Sequence, residues 1–117
     1  MAAADDRWMA VLNPATGDVV DHVPEGTIYE VDDAVRAADA AHPWWASRTA
    51  RERGSVLLRG ASLVRERHRD ISRILTMEQG KPLRESIDEV RGFANVLEYF
   101  AGIAGAFSGE YITLGTA

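Results

Sequence analysis

Hydrophobic and polar positions first alternate in short runs near the N-terminus. Two apolar segments, Trp8–Leu12 and Val19–Val23, flank the sequence NPATG at residues 13–17. Pro, Gly and Asn between two apolar runs favour a tight turn, so this pattern predicts a β-hairpin over residues 8–23. Two strands alone are marginally stable, and we expect other protein to cover their edges.

Beyond the hairpin the apolar spacing changes to three and four residues, which is typical of α-helices. Thr27–Glu30 and Thr49–Glu52 each fit a capping box, in which Thr and Glu satisfy the first free N–H groups of a helix. Pro43 is predicted to end the first helix. The apolar stripe of that helix comprises Val31, Ala34, Val35 and Ala38.

The second predicted helix is amphipathic and faces a core. Its apolar stripe comprises Leu57, Ala61 and Val64, with Gly60 and Leu63 beside it. The polar run 65–70 predicts a break before a short third helix that contains Ile71, Ile74 and Leu75. Gly80 fits the C-cap of that helix, and Pro82 fits the first residue of the next.

The last predicted helix carries two neighbouring apolar stripes. The first comprises Leu83, Ile87, Val90, Ala94, Leu97, Ala101 and Ala104, and the second comprises Phe93, Val96, Phe100, Ile103 and Phe107. This pattern predicts a wide buried face with the aromatic side chains, Tyr99 included, in the core. We therefore expect helices over residues 28–107, the start of an interrupted strand at 111–114, and a fold that is mainly α with an N-terminal β-hairpin.

Length and composition predict a single soluble domain. The chain has 117 residues, of which 46% are hydrophobic and 26% are charged. Residues 1–7 are small and acidic, unlike a secretory signal, and the longest nearly apolar run, Tyr99–Phe107, is shorter than the ~20 residues of a membrane span. We expect a cytoplasmic protein with no membrane partner.

The net charge of −5 is unevenly distributed. Residues 1–39 carry nine acids and two arginines, residues 40–73 carry eight arginines and three acids, and residues 74–117 are again acidic. This distribution favours pairing between neighbouring elements over a phosphate-binding surface. Nucleic-acid binding through residues 48–73 is the alternative, but overall we expect no nucleic-acid partner.

The residues alone indicate no active site. The chain has no Cys, which excludes disulfides, thiolate metal sites and a cysteine nucleophile. Gly80-Lys81-Pro82 is not a P-loop, because no Gly lies five residues earlier and Pro82 replaces the Ser or Thr that binds Mg²⁺. No G-x-G pair occurs, and the three His and the paired carboxylates lack the spacing of a metal or acid–base site.

The order of six motifs nevertheless resembles the N-terminal portion of the aldehyde dehydrogenase superfamily. The motifs extend over about Trp8–Leu114 and are NPATG, AVRAADAA, PWWAS, TARER, EQGKPLRES and EYFAGIAGAFSGE. Within the family, the motifs are most similar to betaine-aldehyde dehydrogenases, and EQGKPL is also similar to the succinate-semialdehyde branch.

The resemblance implies that residues 1–117 are the N-terminal part of the NAD(P)-binding domain, a partial segment of the α/β cofactor-binding fold. Family members oxidise an aldehyde to a carboxylic acid through a Cys thiolate, a Glu-activated water and hydride transfer to NAD or NADP. The resemblance places these catalytic and cofactor-binding residues beyond position 117. We therefore expect this chain to be inactive alone, and to belong with the remainder of the enzyme in a homo-oligomer, either a dimer or a tetramer.

The resemblance also implies a K⁺ or Na⁺ site formed by backbone oxygens of Val11 and Leu12 and by the Asn95 side chain. Asn95 replaces the Asp of other members, which removes a formal charge and weakens the site. The second hypothesis is a self-standing helical module that binds a partner or a second copy through the ribbon edge and the last helix.

Overall fold

Residues 7–106 and 108–110 are described by a computed structural model, and they form an antiparallel ribbon followed by four helices. The predicted fold class is therefore confirmed. The elements are β1 Trp8–Leu12, β2 Val19–Pro24, α1 Ile28–Ala46, α2 Ala50–Glu66, α3 His68–Gln79 and α4 Leu83–Ile103. Phe107 and the predicted strand at 111–114 lie outside the described residues.

The ribbon is closed by the predicted turn. The backbone N–H of Gly17 donates to the Asn13 carbonyl at 2.7 Å, and the N–H of Ala15 donates to Asn13 Oδ1 at 3.0 Å. Trp8 pairs with Pro24, so β2 extends one residue beyond the prediction, and the register is irregular between Val11 and Leu12.

Helix α1 begins as predicted but continues past Pro43. The Glu30 carboxylate accepts a hydrogen bond from the Thr27 N–H at 2.7 Å, which is the Glu half of the capping box. The prediction that Pro43 ends the helix is wrong, because one further turn closes after it: the N–H of Ser47 donates to the Pro43 carbonyl at 3.1 Å. No residue of α1 is buried.

Helices α2 and α4 form the core, and small residues let them approach closely. A Cβ added to Gly54 would lie 3.2 Å from the Ala101 carbonyl oxygen. Ala61 and Ala94 are fully buried and Val90 almost so, as their predicted stripes require. Leu63, predicted beside the α2 stripe, is exposed.

Helix α3 begins after the predicted break and packs on α4 through hydroxyl groups. Ser72 and Ser86 are fully buried. Ser72 Oγ donates to the His68 carbonyl at 2.6 Å, and the hydroxyls of Thr76 and Ser86 lie 2.7 Å apart. These hydrogen bonds satisfy polar groups that would otherwise be costly to bury.

Gly80 joins the helices to the ribbon. Its φ of 71° confirms the predicted C-cap of α3, whereas Pro82 is the N-cap of α4 rather than its first residue. A Cβ on Gly80 would lie 2.8 Å from Pro14 Cγ in the ribbon turn. Gly80 is therefore required both by its left-handed backbone and by this contact.

The predicted burial of the second α4 stripe is wrong. Helices α2 and α3 cover one side of α4 only, and the opposite side is exposed: Phe93 is 54% and Phe100 53% accessible. We call this surface the outer α4 face, and it comprises Phe93, Val96, Phe100 and Ile103. Tyr99, also predicted in the core, is exposed beside it.

Replacing Gly80 with Ala should destabilise the chain. The left-handed φ is strained for Ala, and the new methyl group overlaps Pro14, so we expect the free energy of unfolding to fall by about 1–3 kcal/mol in urea denaturation. Gly92→Ala is the matched control, because its added Cβ meets no atom within 4 Å apart from its own helical backbone, and Ala favours a helix interior. Equal stability of the two variants would contradict this account.

Candidate functional site

The predicted cation ligands lie on two elements. Val11 and Leu12 are adjacent in β1, at the irregularity of the ribbon register, and Asn95 lies on α4. Val11 is half-buried, whereas the Leu12 and Asn95 side chains are exposed. The Asn95 side chain is engaged by α2 rather than by the ribbon.

Arg65 of α2 contacts α4 through three hydrogen bonds, one to Asn95 and two to Glu98. Its Nη2 donates to Asn95 Oδ1 at 2.8 Å and to Glu98 Oε2 at 2.7 Å, and its Nε donates to Glu98 Oε1 at 2.9 Å. The bidentate hydrogen bond from Arg65 lowers the pKa of the Glu98 carboxyl below its ordinary value. Both side chains are nearly half exposed, so solvent screens the pair.

A cation bound here would compete with Arg65. The proposed donors are two carbonyl oxygens and an amide oxygen, none of which carries a formal charge. The positive guanidinium of Arg65 already lies at hydrogen-bond distance from the Asn95 oxygen. A cation at Asn95 therefore requires Arg65 to release that oxygen.

The other candidate residues have structural roles. Lys81 forms an ion pair with Glu89 at the junction of α3 and α4, and Nδ1 of His68 lies 2.8 Å from the Arg65 carbonyl. Within residues 7–106 and 108–110, no three His, Asp or Glu side chains are grouped to hold a metal. In the same part of the chain, no helix has both the length and the apolar character needed to cross a bilayer.

The corner between α1 and α2 is fixed by Arg48. Its guanidinium lies 4.9 Å from the centre of a Trp44 ring, a cation–π contact. Arg53 Nη1 donates to the Arg48 carbonyl at 2.9 Å, and Ser47 Oγ donates to the Trp44 carbonyl at 2.8 Å. These contacts set the direction in which α1 leaves α2.

The sequence reasoning missed the extent of exposed apolar surface. Large apolar side chains are exposed on the ribbon, on α1 and on the outer α4 face. The two apolar stripes of α4 could have predicted this exposure, because together they are wider than the surface that α2 and α3 cover.

The comparison with known families decides the identity. The model described as "Aldehyde dehydrogenase family" matches residues 1–117. This chain belongs to the aldehyde dehydrogenase family. The resemblance carried by the six motifs is thereby confirmed.

Solved structures agree with this family. An aldehyde dehydrogenase from Brucella melitensis biovar abortus 2308 is 36% identical over 99% of this chain, with a TM-score of 0.94. An NADP-dependent enzyme from E. coli is 35% identical over 100% (TM-score 0.93), and lactaldehyde dehydrogenase from Escherichia coli is 33% identical over 97% (TM-score 0.92). This chain spans 24% of the length of each of these three enzymes.

The Arg65–Glu98 pair should make stability depend on pH in acid. Because the folded pKa of Glu98 is lowered, its stabilising contribution is complete above the unfolded pKa and is lost as the pH falls through the folded pKa. In a ¹³C NMR titration, Arg65→Gln should raise the Glu98 pKa towards its ordinary value. Arg84→Gln, an exposed site at the start of α4, should leave it unchanged; an unchanged Glu98 pKa in Arg65→Gln would contradict the pairing.

Proposed function

We propose that this chain is the N-terminal scaffold of an NAD(P)⁺-dependent aldehyde dehydrogenase that oxidises an aldehyde to a carboxylic acid. Its ribbon and helices support the cofactor-binding domain, and catalysis takes place on residues of the remaining enzyme chain. This proposal rests on the family match over residues 1–117 and on the fact that the chain spans 24% of the length of similar enzymes.

Composition and exposure support the scaffold role. The chain has no Cys and hence no thiolate nucleophile for aldehyde oxidation. Among the described residues, only Ala61, Val90 and Ala94 are buried hydrophobics. Exposed apolar patches of this extent mark surfaces that other protein covers. We propose that the remainder of the enzyme covers the outer α4 face and the ribbon.

The proposed cofactor is NAD or NADP, bound by the remainder of the enzyme, where it accepts the hydride of the aldehyde. The name of the similar NADP-dependent enzyme from E. coli supports this cofactor class. We further propose that the complete enzyme is a cytoplasmic homo-oligomer, a dimer or a tetramer. In this assembly the described residues hold neighbouring elements in position and contact no reacting atom.

A hybrid enzyme tests the scaffold proposal. Residues 1–117 replace the matching quarter of the Brucella aldehyde dehydrogenase, and aldehyde-dependent reduction of NAD⁺ and NADP⁺ is measured. The hybrid should be active, whereas the 117-residue chain alone should reduce neither cofactor. Aldehyde-dependent reduction by the chain alone, or an insoluble and inactive hybrid, would overturn the proposal.

Paired variants at Phe93 show whether the outer α4 face is covered in that hybrid. Because Phe93 is exposed in the chain alone, Phe93→Asp and Phe93→Leu should each change its unfolding free energy by no more than about 0.5 kcal/mol. In the hybrid, Phe93→Asp should abolish soluble, active enzyme and Phe93→Leu should retain it. Equal activity of the two hybrids would show that this face stays uncovered.

The K⁺ or Na⁺ site at Val11, Leu12 and Asn95 stays a prediction, conditional on release of Asn95 by Arg65. Asn95→Asp adds a negative charge, which attracts a cation more strongly than the neutral amide does. We expect the thermal midpoint of Asn95→Asp to be higher in KCl or NaCl than in choline chloride of equal concentration. This difference should be larger for Asn95→Asp than for the unmodified chain. The same response to all three salts would rule the site out.

A further inference from the structure

A cleft of about 250 Å³ opens between α3 and α4. Arg69 and Arg73 of α3 form one wall, and Leu83 and Ile87 of α4 form the other. We call it the α3–α4 cleft. One wall is therefore cationic and the other apolar.

Buried hydroxyl groups beside the cleft hold its two walls together. The Ser72 hydroxyl donates to the Ser86 carbonyl at 3.4 Å, and the hydroxyls of Thr76 and Ser86 lie 2.7 Å apart. Both serines are fully buried. The cleft is therefore preformed, and a ligand would not have to order its walls on binding.

Both arginines of the cationic wall lack an acidic partner. The ion pairs among the described residues involve neither Arg69 nor Arg73. Asp70, their neighbour on α3, takes part in none of these pairs either. Like charges four residues apart on a helix repel each other. An anion between the two guanidinium groups would replace this repulsion by attraction.

Further positive charge flanks the apolar wall. Arg84 and Arg91 lie on the same face of α4 as Ile87, three residues before it and four residues after it. Arg91 has a long contact of 4.0 Å with Asp88, and Arg84 has no ion-pair partner among the described residues. The surroundings of the cleft are therefore basic, although the whole chain has a net charge of −5.

The apolar wall distinguishes this cleft from a site for a simple inorganic anion. Leu83 is 43% accessible and Ile87 is half-buried, so both keep apolar surface in contact with water. A ligand with an apolar tail would cover that surface and gain free energy by doing so. The cleft is smaller than the about 300–1,000 Å³ of pockets for drug-sized molecules, and this size favours a small ligand.

We propose that the α3–α4 cleft binds a small amphiphilic anion. Its carboxylate or phosphate head contacts Arg69 and Arg73, and its apolar tail lies over Leu83 and Ile87. The planar guanidinium group suits both heads, because its paired N–H donors match two oxygens at once. This site goes beyond the dehydrogenase scaffold, since it uses residues of this chain only and takes no part in aldehyde oxidation.

Calorimetric titration of the full 117-residue chain tests the ligand class, with each probe kept below its micelle concentration. Octanoate and octyl phosphate join an anionic head to an apolar tail, and the better of the two should bind one-to-one. Acetate lacks the tail and octanol lacks the charge, so each should bind about tenfold or more weakly. The tighter of the two amphiphiles identifies the head as a carboxylate or a phosphate.

A pair of double variants tests the location of the site. Arg69→Gln/Arg73→Gln should weaken binding of the tighter amphiphile about tenfold, as expected for two partly screened charge contacts. Arg51→Gln/Arg59→Gln is the matched control, because it removes the same net charge from exposed positions of α2 outside the cleft. Affinity should be unchanged in this control.

Nitrogen-15 NMR of the unmodified chain gives a second readout that needs no variant to fold. The side-chain Nε–H signals of Arg69 and Arg73 should shift on titration with the tighter amphiphile, and those of Arg51 and Arg59 should not. Octanol binding as tightly as both anions, equal weakening by the two double variants, or shifts confined to the outer α4 face would overturn the proposal.

Discussion

The close contact between α2 and α4 is the constraint on which the rest of the structure depends. Gly54 allows α2 to approach the Ala101 carbonyl, and the buried Ala61 and Ala94 keep the two helices close along their length. Larger side chains at these positions would force the helices apart, since packed interiors have little room to yield. The Arg65 hydrogen bonds to Asn95 and Glu98 exist only because the helices lie at this separation.

Local signals made much of the fold predictable from the sequence. Three of these signals act within a few residues and can be recognised without knowing the tertiary structure: the capping box at Thr49, the left-handed Gly80 and the NPATG turn. Pro43 was misread because a proline removes one hydrogen bond but does not prevent a final helical turn. The Arg65 contacts could not be predicted, because they join residues about thirty positions apart.

Burial was the least predictable property, for a physical reason. An apolar stripe shows that a helix face avoids water, but it does not show whether the cover belongs to the same chain. Val90 and Val96 are equally apolar; α2 and α3 cover the first, and the second remains exposed. The candidate cation site was limited in the same way: the resemblance supplied its residues, while the structure supplied Arg65, which competes for Asn95.

The chain therefore consists of a close-packed unit, formed by α2, α3 and α4, and of exposed apolar surfaces on α1, the ribbon and the outer α4 face. Native-state hydrogen exchange, in a dilute solution in which the chain is monomeric, measures this division directly. The slowest-exchanging amides should belong to α2 and α4 around Ala61 and Ala94, with those of α1 exchanging orders of magnitude faster. Equal protection of α1 and α4 in the monomer would contradict the account.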